Sequence, residues 1–125
     1  MRVLLDTHFL LWSLGSPSKL PAKTRKVIQA SNVFVSAASI WEIAIKSAIG
    51  KLKADPLEIA AAVGPAGFDF LPITAPHAAR VAVLPSIHRD PFDRMLVAQA
   101  LSEGMVLLTN DSMLRDYGPC VMISA

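Results

Sequence analysis

Met1-Arg2-Val3-Leu4-Leu5-Asp6-Thr7-His8 is the stretch from which the rest of the chain can be read. A short apolar run stops at a carboxylate, and a helical pattern over His8–Leu14 follows at once. The arrangement returns near the other end, where Met105-Val106-Leu107-Leu108-Thr109 runs into Asn110-Asp111 and a short helical stretch to Tyr117. Between them, Val33–Val35 and Phe70–Ile73 read as strands, and Cys120–Ile123 as a last one. Helical patterns separate them, over Pro21–Ala30, from a Ser36 cap to Ile49, and from Asp55-Pro56 to Val63. Two more run from a Thr74 cap to Val83 and from Asp90-Pro91 to Ser102, with Gly50 and Gly104 as stops. Strands alternating with helices predict an α/β fold on a parallel sheet. With no internal repeat, low-complexity tract or linker, residues 1–125 are expected to form one domain.

Four carboxylates then stand out by position. Asp6 ends the first strand, Glu42 lies early in the helix after the second, Asp93 is in the first turn of its helix, and Asp111 follows Thr109. Strand C-termini and helix N-termini share one edge of a parallel sheet, and ligands bind there. Carboxylates gathered at one edge repel each other unless a cation lies between them. An all-oxygen set suits Mg²⁺ or Mn²⁺, which points to a metal-dependent enzyme acting on phosphate esters.

Each acid also has an ordinary reading. Asp6 and Asp111 are good helix caps, and Asp90 before Pro91 is a cap rather than a ligand. Ser39-Ile40-Trp41-Glu42 matches a capping box, although Ser36 is an equally good cap that leaves Glu42 further inside the helix. Lys46 can pair with Glu42 one turn on, and Thr7 can bond a carboxylate or a ligand water. Trp41 and His8 are expected to be packed, and Arg94 to meet a phosphate or to pair with Asp90 or Asp93.

Composition sets the outer limits. Hydrophobic residues make up 53% of the 125, above the usual share of roughly 45–50%, which points to apolar surface covered by a partner or a second copy. The single cysteine, Cys120, excludes an internal disulfide and a cysteine-rich zinc site, and fits a reducing, cytoplasmic setting. Asp6 and His8 interrupt the N-terminal apolar stretch, so no signal peptide is expected, and no apolar run is long enough to span a bilayer. Residues 1–53 carry eight basic and two acidic side chains, a balance of +6. Residues 54–125 carry four and eight, a balance of −4. Such asymmetry can steer a polyanion toward an acidic site, or simply reflect a solvated helix surface.

Taken together, Leu4–Trp12, Val35–Lys46, His88–Ala100 and Leu107–Asp111 give the chain a familiar look: it resembles the PIN-domain ribonucleases, and more closely the VapC-like toxins of toxin–antitoxin pairs. Phe9 stands where that family usually has a smaller residue. The resemblance implies a three-layer α/β/α sandwich around a mostly parallel sheet of about four to five strands. It implies metal-dependent cleavage of RNA by an acidic quartet that falls on Asp6, Glu42, Asp93 and Asp111, both as catalytic residues and as ligands of Mg²⁺ or Mn²⁺. A small cognate antitoxin, and a homodimer or toxin–antitoxin hetero-oligomer, are the implied partners, with no role for a membrane. The competing expectation is an inactive domain of the same fold that binds RNA or protein. A phosphotransfer domain with Asp6 as nucleophile is a further alternative, and no Walker-type glycine loop supports an NTPase.

Overall fold

The computed structural model describes residues 1–124. In chain order the elements are β1 (Arg2–Leu5), α1 (Thr7–Gly15), α2 (Ala22–Ala30), β2 (Asn32–Ser36), α3 (Ala37–Ala48), α4 (Pro56–Val63), β3 (Asp69–Leu71), α5 (Ala75–Arg80), α6 (Pro91–Glu103), β4 (Val106–Thr109) and β5 (Val121–Ile123). Short 3-10 turns occupy Pro17–Lys19, Val81–Val83 and Ser112–Tyr117.

Local chemistry explains most boundaries. Ser36 accepts the Ala38 N–H and so begins α3, rather than Ser39. Asp55 accepts from Leu57, Thr74 from His77, and Asp90 from both Phe92 and Asp93. Gly104 ends α6 in the left-handed region, at φ 64°, where a side chain would be strained. Two expected elements shift. The third strand is Asp69–Leu71 rather than Phe70–Ile73, because Pro72 has no N–H to extend the ladder. The helix after Thr74 tightens into a 3-10 turn at Val81 instead of continuing as α-helix to Val83.

The five strands form one all-parallel sheet in the order β3-β2-β1-β4-β5. Successive strand residues point to opposite faces, and both faces are covered, as all-parallel sheets require. Val3, Leu5, Val33 and Leu108 pack with Phe9 and Leu20 on the α1 and α2 side. Val35 meets Leu10, Ile43 and Val63 from α1, α3 and α4. Leu4 and Leu107 face the other way, onto Leu96, Val97 and Ala100 of α6. Burying each such side chain contributes about 1.5–3 kcal/mol, so these helices are held to the sheet by the strands' alternation. The result is helix layers on both sides of a central sheet.

The topology positions the site. From β1 the chain steps outward to β2 and β3, then returns across the sheet to β4 on the opposite side of β1. The order therefore reverses between β1 and β4, and the carboxyl ends at such a switch point form a crevice. Asp6 lies at the end of β1 and Thr109-Asn110-Asp111 at the end of β4. The Asp6 N–H donates to Leu108 O across that boundary.

Candidate active site

Asp6 is both a cap and a crevice residue. Its Oδ1 accepts the Phe9 N–H at 2.7 Å and its Oδ2 accepts the Thr109 hydroxyl at 2.6 Å. Burial pushes its pKa upward, against the pull of those donors. Glu42 is also buried. Its Oε1 accepts the Thr7 hydroxyl at 2.7 Å, and Lys46 pairs with Oε2 from one turn along α3. Thr7 lies 3.2 Å from Ser39 Oγ as well, so Ser39 belongs to this hydroxyl network rather than to a capping box.

Asp93 is the third residue of α6. Its pKa is pushed up to about 7, first by burial and then by the charge of Asp90. Glu42 and Asp111 push it the same way, and His88 opposes them. Asp111 caps the Ser112–Tyr117 turn, its Oδ1 accepting the Met113 N–H at 3.0 Å. Its other oxygen, Oδ2, faces His88 Nε2 at 3.2 Å.

His88 joins two of the acids, and sequence reading assigned it no role. Its Nδ1 accepts the Asp90 N–H at 3.2 Å, which leaves the proton of the neutral ring on Nε2. That nitrogen lies 3.4 Å from Asp93 Oδ2 as well as 3.2 Å from Asp111 Oδ2. The available signal was His88's place in the polar segment leading to Asp93. What brings it to Asp111 is the return of the chain from α6 through β4.

Arg94 has a different task from the expected one. Its guanidinium donates to the carbonyls of Val81, Pro85 and His88 and to the Tyr117 hydroxyl. Tyr117 in turn accepts the His88 N–H at 3.1 Å. The arginine pins the loop that carries His88 instead of meeting a carboxylate. Trp41, expected in the core, is 60% exposed and stands edge-to-face against Phe92. The residue Glu42 needs a buried position, and Trp41, one step back on the same helix, then turns outward. His8 is likewise exposed, tilted toward Trp12.

The four expected acids are thus distributed around one crevice in two ways. Asp93 and Asp111 converge with His88, with one ligating atom from each residue lying within 4.8 Å of the others. Asp6 and Glu42 lie outside that trio, their oxygens engaged by Thr109 and Phe9 and by Thr7 and Lys46. The two carboxylates offer oxygens that fit a hard divalent cation, while His88, with its ring proton on Nε2, is placed to donate to them. The pKa of Asp93 is raised first by burial and then by neighbouring carboxylates, both of which a bound cation would offset.

A parallel sheet with acids at its switch point defines a class of α/β proteins with an acidic crevice. The PIN domain family model matches residues 3–118, and the chain belongs to that family. Ribonuclease VapC22 of Mycobacterium tuberculosis (strain ATCC 25618 / H37Rv) is 32% identical over 127 residues, spanning 92% of this chain and 91% of that protein. Among solved structures, VapBC2 from Rickettsia felis bound to a DNA fragment from their promoter aligns with TM-score 0.70 at 12% identity, over 99% of this chain and 98% of that one. DNA-bound VapBC from Salmonella typhimurium gives 0.68 at 20% identity, over 99% and 97%. FitAB bound to an IR36 DNA fragment gives 0.67 at 18%, over 97% and 94%. These structural likenesses establish the fold. No helix among the described residues is long and apolar enough to cross a membrane.

Proposed function

We propose that the chain is a divalent-metal-dependent endoribonuclease, the cytoplasmic toxin of a toxin–antitoxin pair, acting on RNA phosphodiesters with Asp6, Glu42, Asp93 and Asp111 as its acidic set. The observation that carries this reading is the convergence of Asp93, Asp111 and His88, with Asp6 tied to Asp111 through the Thr109 hydroxyl and Glu42 close enough for its charge to act on Asp93. Membership of the PIN family and likeness to a protein named as a ribonuclease support it. The VapBC and FitAB likenesses support a small antitoxin as partner in a hetero-oligomer.

Asp6 and Asp93 would be the central ligands of Mg²⁺ or Mn²⁺, with Glu42 and Asp111 completing the site or holding ligand waters. When bound, the ion lowers the pKa of its water and neutralises charge developing on the phosphoryl oxygens. The rest falls to the chain. Thr109 and the Phe9 N–H fix the two oxygens of Asp6 in the crevice, and Thr7 fixes Glu42. Lys46 places a cation beside Glu42, available to a substrate phosphate. His88 holds a proton at Nε2 between the Asp93 and Asp111 carboxylates, and Arg94 keeps its loop in place. Water attacks phosphorus, the bond to the 3′-oxygen breaks, and the products carry 5′-phosphate and 3′-hydroxyl ends. Basic residues would position the backbone without reading bases.

The test is RNA cleavage by the purified, antitoxin-free chain in Mg²⁺ or Mn²⁺, beside Asp6→Asn and a chelator control. Cleavage that needs both the metal and Asp6 is the expected result. A wild type that leaves a broad RNA panel uncut, yet binds RNA, would instead mark an inactive binding domain.

A further inference from the structure

Trp41 is a large aromatic side chain left 60% exposed, with its ring centroid 5.4 Å from that of Phe92 and the planes at 77°. The two rings line a cavity of about 250 Å³, closed by Ala38, Ile73, Val81 and Met95. Its walls are almost wholly apolar. The volume falls short of the roughly 300 Å³ at which pockets begin to take drug-sized molecules, and suits a single planar ring system.

The place of this cavity matters more than its size. Trp41 immediately precedes Glu42 on α3, and Phe92 immediately precedes Asp93 on α6. The same two helices therefore supply both the aromatic wall and two of the acids. Glu42 is close enough to Asp93 for its charge to act on it, and Trp41 meets Phe92 edge to face, so both pairs span the same α3–α6 boundary. Arg80, next to the cavity residue Val81, and Arg89, next to His88, are both exposed. Neither forms an ion pair with a carboxylate among the described residues. Exposed cations next in sequence to the recess and to the acid trio suit a charged backbone with planar side groups.

We infer that the Trp41–Phe92 recess is a stacking subsite for one unpaired nucleobase of a single-stranded RNA, next to the phosphodiester at the acidic crevice. This rests on the ribonuclease reading and adds to it that substrate must be unpaired at that position, because a base inside a duplex cannot enter a recess between two helices. Stacking tolerates any base, so the subsite holds the strand without selecting its sequence.

The experiment measures equilibrium binding of a labelled uridylate hexamer, and of a hexameric abasic ribose phosphate, by fluorescence anisotropy in Mg²⁺. The protein carries Asp6→Asn to suppress cleavage, alone or with Trp41→Ala, Trp41→Leu or Trp41→Phe. Loss of one stacked base weakens binding about tenfold in Trp41→Ala and Trp41→Leu, whereas Trp41→Phe stays within about threefold. The abasic strand binds all four proteins alike. Equal affinity for the uridylate across the series, or equal loss on both strands, overturns the subsite. Unchanged RNA binding with lost self-association in sedimentation overturns it in favour of a protein interface. These results leave the ribonuclease reading standing if the wild type cleaves RNA; a wild type that neither cleaves nor binds any RNA removes both.

Discussion

Thr109 Oγ1 donates a 2.6 Å hydrogen bond to Asp6 Oδ2 and accepts the Asp111 N–H at 3.0 Å, so one hydroxyl ties the ends of β1 and β4 together. Thr109→Val keeps the shape and removes both functions. It leaves a buried carboxylate oxygen without its donor, which costs about 1–3 kcal/mol. Urea unfolding should show that loss with an unchanged denaturant slope, and Thr109→Ser should recover most of it. A Val variant as stable as the wild type would mean that Asp6 does not depend on this bond.

The pH dependence of the metal-free protein follows from Asp93, whose pKa rises from 3.8 to about 7 on folding, and from Asp6, which shifts in the same direction. An acid with a raised folded pKa binds its proton more tightly in the folded state. Its stabilising effect is complete below the unfolded value and is lost as pH rises through the folded one. Thermal melts in EDTA should therefore fall between pH 5 and pH 8. Added Mg²⁺ should reverse the fall at pH 8 and do little at pH 5, because ligand carboxylates must be deprotonated to bind metal.

Asp93→Asn separates stability from activity. Removing a carboxylate that burial disfavours and that Asp90, Glu42 and Asp111 repel should stabilise the metal-free chain at pH 8 by roughly 1–4 kcal/mol, since one pKa unit carries about 1.4 kcal/mol. The same change should abolish the Mg²⁺-dependent rise in melting temperature and lower cleavage by at least about a hundredfold, as expected for a lost metal contact. Asp93→Asn that melts lower than wild type in EDTA at pH 8 would contradict the repulsion argument.

Arg94→Lys tests the loop that holds His88. Lysine keeps the charge but cannot match the guanidinium's fork of donors to Val81 O, Pro85 O, His88 O and Tyr117. The expected cost is about 1.5–3 kcal/mol. Amide hydrogen exchange should accelerate across residues 84–90 while β1 and β4 stay protected. Tyr117→Phe, which removes the acceptor of the His88 N–H, should give a milder version of the same pattern.

Features set by near neighbours could be read directly. Ser36, Asp55, Thr74, Asp90 and Asp111 each accept a helix N–H two or three residues on, so the residue and its partner lie in one short stretch. The strands of the sheet were legible for a similar reason, since short apolar runs closed by turn residues need no distant information. The third strand was displaced because only pairing with β2 decides where its ladder begins: Asp69 lies opposite Phe34, and Leu71 opposite Ser36.

The parallel α/β class, the helix caps and the position of four acids after strands or at helix starts follow from the order of residues, because each depends on periodicity or on a cap a few residues long. Strand order, the company each acid keeps and which side chains stay outside depend on packing between distant segments. His88 reaches Asp111 across 23 positions, and Thr109 reaches Asp6 across 103. Local preference carries no term for such pairs. They form because α6 buries its apolar face against the sheet and β4 then pairs beside β1, which brings the chain back to the end of β1. The same packing turns Glu42 inward and leaves Trp41, its neighbour on α3, facing water.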